Sequence, residues 1–169
     1  MFRIPTSRWL RPAGAGMLAV ALVACDSPTS DPVDRDIDAL RVATEPFQSF
    51  AAAQAANYTL LFADVCMEHP SDGAMGYHYV NTDLLDGEVA VDEPEALLYE
   101  SGLNGELELV AVEYVIPFAV RAESEPPPVL FGQQFRQNHT YGLWALHAWV
   151  WKDNPAGMFA DWNADVTCP

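Results

Sequence analysis

Basic residues are scarce in this chain of 169 residues: 8 Lys and Arg stand against 24 Asp and Glu, a net charge of −16 with the histidines neutral. A surface of that sign repels phosphate backbones and anionic headgroups, so nucleic acid is not an expected partner. The plainer meaning of the acidity is solubility, or adaptation to a salty medium. Cysteine is sparse as well, at three residues, and no Cys-x-x-Cys redox motif occurs. The chain has no Gly-x-Ser-x-Gly elbow and no glycine loop able to cradle a phosphate, which removes the best-marked hydrolase and nucleotide-binding signatures. With so many acids, a close pair of carboxylates carries no information, and a glycosidase cannot be read from one. Long apolar runs are missing too. The stretch from Ala13 to Val23 is unbroken but would rise only about 16 Å as a helix, roughly half the hydrocarbon core of a bilayer.

That stretch has a different use. Arg3, Arg8 and Arg11 form a basic region without acids, the apolar run follows, and small residues close it. This is the order of an export signal, expected over residues 1–24. The closing Leu22-Val23-Ala24-Cys25 resembles the lipobox of bacterial lipoproteins. The resemblance implies a diacylglyceryl group on the Cys25 thiol, cleavage before Cys25, and a membrane partner reached through the lipid. Localisation is then exported, on the periplasmic or cell-surface side of a bacterial membrane. Loss of the signal leaves 5 basic residues against 24 acids, a net charge of −19. Lipidation of Cys25 also leaves Cys66 and Cys168 as a pair, and an oxidising compartment favours a disulfide between them.

Residues 25–43 are expected to be the lipidated cysteine and an acidic, flexible tether, because Asp26 to Asp38 is rich in acids and poor in apolar residues. Residues 44–169 are expected to form a single α+β domain. Thr44-Glu45-Pro46 reads as a helix start and predicts a helix over about 45–57, supported by five alanines. Tyr58 to Val65 is apolar enough for a strand or an extended segment leading into Cys66, Pro70 to Gly76 is turn-rich, and Tyr77 to Asn81 alternates as a strand. Ala96–Glu100 and Glu106–Pro117, joined through Asn104-Gly105, have the form of a β-hairpin. Val129–Phe131 touches the sheet again, and Gly142–Trp151 makes a last strand. The sum is an N-terminal helix packed on an antiparallel sheet of four or five strands, open or curled into a small barrel.

Strand parity singles out the candidate chemistry. Residues 107, 109, 111, 113 and 115 would share one face, on which Glu113 interrupts an apolar row. A carboxylate in such a row needs a hydrogen-bond donor, a cation or a proton. His147 alternates with Trp149 and Trp151 on the last strand, opposite Leu146, Ala148 and Val150. His78 lies on the strand before the hairpin, and His69 on the loop before that. His69, His78, Glu113 and His147 are therefore the candidate ligands of a divalent metal, zinc, copper or iron. The alternative is that all four are hydrogen-bonded structural residues, and that the domain has a binding or structural role. His139 reads as an exposed loop residue and is left out.

The pattern Cys66-Met67-Glu68-His69-Pro70, Met75-Gly76-Tyr77-His78-Tyr79-Val80-Asn81, Val112-Glu113-Tyr114, Leu146-His147-Ala148-Trp149 and Asn154-Pro155-Ala156-Gly157-Met158-Phe159 resembles a family of uncharacterised bacterial secreted proteins and lipoproteins. Leu97-Leu98-Tyr99-Glu100 and Leu130-Phe131-Gly132 belong to the same pattern. The resemblance spans about Thr44 to Cys168. It implies one exported domain, and nothing about substrate, cofactor, small-molecule or protein partner.

Overall fold

The computed structural model describes residues 31–102 and 104–169; the signal segment and Cys25 lie outside the described residues. Helix α1 covers Pro32–Thr44, where a flexible tether was expected. Its start is well made: the Asp31 side chain accepts a hydrogen bond from the Val33 amide, and Pro32 occupies the first turn. Val33, Ile37, Leu40 and Thr44 recur at helical spacing; the last three are buried and Val33 packs on the same core. The acids that make the segment look like a linker, Asp34, Asp36 and Asp38, fall between those positions. The folded domain thus begins at least twelve residues before Thr44.

The single helix expected over 45–57 is two pieces, a 3-10 turn Glu45–Gln48 and helix α2, Phe50–Ala55, separated by extended Ser49. Thr44 does not cap the second piece. Its hydroxyl donates to the Leu40 carbonyl at 2.8 Å and accepts the Trp151 indole N–H at 3.0 Å.

Nine strands follow among the described residues: β1 Leu60–Leu61, β2 Met67–His69, β3 Gly73–Val80, β4 Ala96–Ser101, β5 Leu107–Pro117, β6 Val129–Leu130, β7 Gln133–Gln134, β8 Arg136–Asn138 and β9 Leu143–Ala148. The main sheet is antiparallel, in the order β1-β3-β4-β5-β9-β8, with β2 also on β3. Its seven strands exceed the four or five expected because β2 and β8, three residues each, are too short to show a period. The sheet is open, and β6 pairs with β7 apart from it. The strand expected over Tyr58–Val65 stops after Leu61, where Ala63 and Asp64 adopt left-handed backbone conformations and turn the chain toward Cys66. No described helix is long and apolar enough to cross a membrane.

The sheet has two different faces. One carries Leu97, Tyr99, Leu109, Val112, Tyr114, Ile116 and Leu146, and packs against Ile37, Leu40 and Ala53 of the helices. The Tyr58, Tyr99 and Tyr114 hydroxyls fasten this face by donating to the carbonyls of Pro94, Phe47 and Val91. The other face carries Val80, Ala96, Leu98, Ala111 and Trp149, and is covered in part by Val166 of the C-terminal segment. A Cys66–Cys168 disulfide ties that segment to the start of β2. Asn163, fully buried, bridges backbone-to-backbone with Ala74 and donates its amide to the Asp153 carbonyl.

A β-bulge corrects the expected parity of β5. Leu98 pairs with Ala111 but Tyr99 pairs with Leu109, so Val110 is the extra residue. Ala111, Glu113 and Val115 keep one face; Leu109 moves to the helical face. Trp151 also leaves the face proposed for it, because β9 ends at Ala148 and the indole turns to Thr44.

Candidate metal centre

Three of the four candidate ligands meet on the face away from the helices. Glu113 of β5 lies directly opposite His147 of β9. Opposite Glu113 on its other side is Ala96 of β4, whose methyl leaves open the space that a larger side chain would fill. His78 reaches toward it diagonally from β3, where it pairs with Leu98 while Val80 lies opposite Ala96. The His78 Nε2 stands 3.6 Å from Glu113 Oε2, and His147 Nε2 stands 3.5 Å from Glu113 Oε1. One ligand atom from each of the three lies within 4.8 Å of the others. The two imidazoles are perpendicular, with centroids 6.0 Å apart.

Both histidines are 3% exposed, and they hold buried nitrogens without hydrogen-bond partners: Nδ1 of His78, and Nδ1 and Nε2 of His147. Burial pushes the His78 imidazole down to about 4, against the pull of Glu113. Burial also works against a charge on His147, but Glu113 and Asp161 outweigh it and the imidazole is held above its usual value. Two buried imidazoles thus face one carboxylate at distances longer than a usual hydrogen bond, with one ligand atom of each gathered in a small volume.

Asp161, which carries no signal in the sequence, completes the surroundings. Its Oδ1 is 3.8 Å from His147 Nδ1, and its Oδ2 accepts from Arg136 of β8 at 2.7 Å. The His147 ring, and with it Arg136, holds the Asp161 carboxyl below its usual range against the effect of burial. At 3.8 Å this contact is longer than a hydrogen bond, so Asp161 faces the back of the His147 ring without bonding to it; a carboxylate behind one ring nitrogen is common at metal-binding histidines.

His69 is the correction to the expected set. It ends β2 opposite Gly73, five residues or roughly 16 Å along β3 from His78. There its ring pairs with Asp72 at 3.1 Å and packs on Trp162. His139 is exposed beside Glu123, as expected.

The three groups open on a cleft of about 990 Å³. Two histidines and a carboxylate with a free side suit zinc carrying a water or substrate, or non-haem iron. Zinc bonds of 2.0–2.2 Å give tetrahedral ligand separations of about 3.3–3.6 Å; the two His–Glu distances, 3.6 and 3.5 Å, are made to different oxygens of Glu113. No protein-family model matches the chain, and neither the curated proteins nor the solved structures hold a significant match to it.

Proposed function

We propose that this chain is an exported lipoprotein whose domain holds one divalent metal ion, most simply zinc, on His78, Glu113 and His147. The observation that carries the metal is the convergence of two buried imidazoles with unpartnered nitrogens on a single carboxylate at the base of a cleft. The Nε2 atoms of His78 and His147 stand 3.6 and 3.5 Å from the Glu113 carboxylate, each facing a different oxygen, close enough for the three groups to share one ion. The open side makes the centre a binding or catalytic one rather than a closed structural site.

Export and lipidation are supported by the order of basic, apolar and small residues ahead of Cys25, and by a long-range disulfide of the kind made in oxidising compartments. The two halves are tested separately. Intact-mass measurement of membrane-extracted protein should show a lipidated Cys25 as first residue, and Cys25→Ala should lose both lipid and processing. Metal-free mature protein should rise in Tm with equimolar zinc; an unshifted Tm with zinc, copper and iron would remove the metal and leave the trio structural.

A further inference from the structure

We infer that the ligand of this centre is a small apolar molecule with one metal-binding head group, its hydrocarbon body lying in the cleft and its head at His78, Glu113 and His147. The head-group half rests on the metal reading above; the apolar half rests on the cleft itself. A volume of about 990 Å³ is at the upper end for small-molecule sites, which run to roughly 1,000 Å³. Six large apolar side chains are exposed among the described residues, and three of them, Leu60, Val65 and Tyr141, line this one cleft. They are 43–49% exposed. Phe62 meets Tyr141 edge-to-face at 4.8 Å, joining the two walls, and Met67 and Met75 add pliable thioether surface.

Charge points the same way. Among the described residues, the acids that line the cleft are Glu68, Glu113 and Asp161. Glu113 is engaged with the histidines and Asp161 with Arg136, which leaves the exposed Glu68 as the one lining acid outside an ion pair among the described residues. Such a wall recognises methylenes.

The test titrates acetohydroxamate, butanohydroxamate and octanohydroxamate into mature protein, zinc-loaded and metal-free, by calorimetry. Affinity should rise roughly threefold per methylene, and so on the order of 100-fold from the butano to the octano compound. Zinc should tighten all three by a similar factor, because it acts on the head. Leu60→Asp and Val65→Asp, at half-exposed positions, should weaken octanohydroxamate about tenfold and leave acetohydroxamate unchanged. A series flat in chain length overturns the inference even where zinc binds, and points to a segment of a protein partner as the occupant. Chain-length preference with no effect of zinc upholds the apolar cleft and overturns the placement of the head group. Zinc uptake is measured on the same samples, so failure of the metal reading is seen independently.

Discussion

Asp161 stands behind the His147 ring, its Oδ1 3.8 Å from Nδ1, although it sits in a C-terminal segment without regular structure and is 35% exposed. Asp161→Ala should leave the fold intact and lower zinc affinity by roughly 10–100-fold, read by competition with a chelating indicator. Equal affinity in the variant would show that His147 needs no orienting carboxylate. Glu95 is a second buried acid: it is 2% exposed, and its Oε2 accepts the Val115 amide at 2.9 Å. Burial pushes its carboxyl from 4.5 up to about 8, with the charges of Asp86 and Glu113 adding to the effect. The folded state therefore holds this proton more tightly than the unfolded chain. That contribution is complete below about pH 4.5 and is lost as pH rises through 8. Glu95→Gln removes the dependence, so its stability relative to the native protein should grow between pH 5 and pH 9, by on the order of 3 kcal/mol. Urea unfolding at pH 5, 7 and 9 measures it, and parallel profiles would contradict it. Glu113 and His147 were legible because each sits out of place in an apolar row. Asp161 and Glu95 were not: nothing local distinguishes either from the other acids.

At the scale of the element, the hairpin β4–β5 was the clearest feature of the sequence, with Asn104-Gly105 between two apolar runs, and it forms as expected. The bulge inside it was invisible, since an extra residue in an apolar strand leaves no mark on composition. Glu113 keeps its predicted face with Ala111 and Val115 only because the bulge at Val110 precedes all three. Helix α1 was missed for the opposite reason: its acids are conspicuous and its four inward positions are not. The strand β3 that carries His78 depends on Gly76, which has φ +92° and packs its α-carbon against the Tyr99 carbonyl of β4. A methyl there would collide with backbone that cannot move without shifting the sheet. Gly76→Ala should destabilise the protein by on the order of 2–4 kcal/mol and weaken zinc binding with it, read by chemical unfolding. A variant of native stability would mean that β3 and β4 can separate freely.

Across the whole molecule, the helices cover one face of the sheet and the C-terminal segment covers part of the other, leaving the cleft in the remainder. The disulfide holds that second cover in place across 102 residues of sequence. Closing a loop of this length lowers unfolded-state entropy by an amount worth on the order of 4–5 kcal/mol, so the Cys66→Ser, Cys168→Ser double variant should lose most of that stability. Unfolding in urea with and without reductant checks it; a loss below about 1 kcal/mol would show the cover to be held by packing alone. The central claim is that the folded domain brings His78, Glu113 and His147 around one metal ion. Elemental analysis of mature protein, purified without chelators beside its His147→Ala and His139→Ala variants, tests that most directly. The account predicts one divalent metal per chain in the native protein and in His139→Ala, and a near-complete loss in His147→Ala. Native protein without stoichiometric metal, or a metal retained in full by His147→Ala, would contradict it.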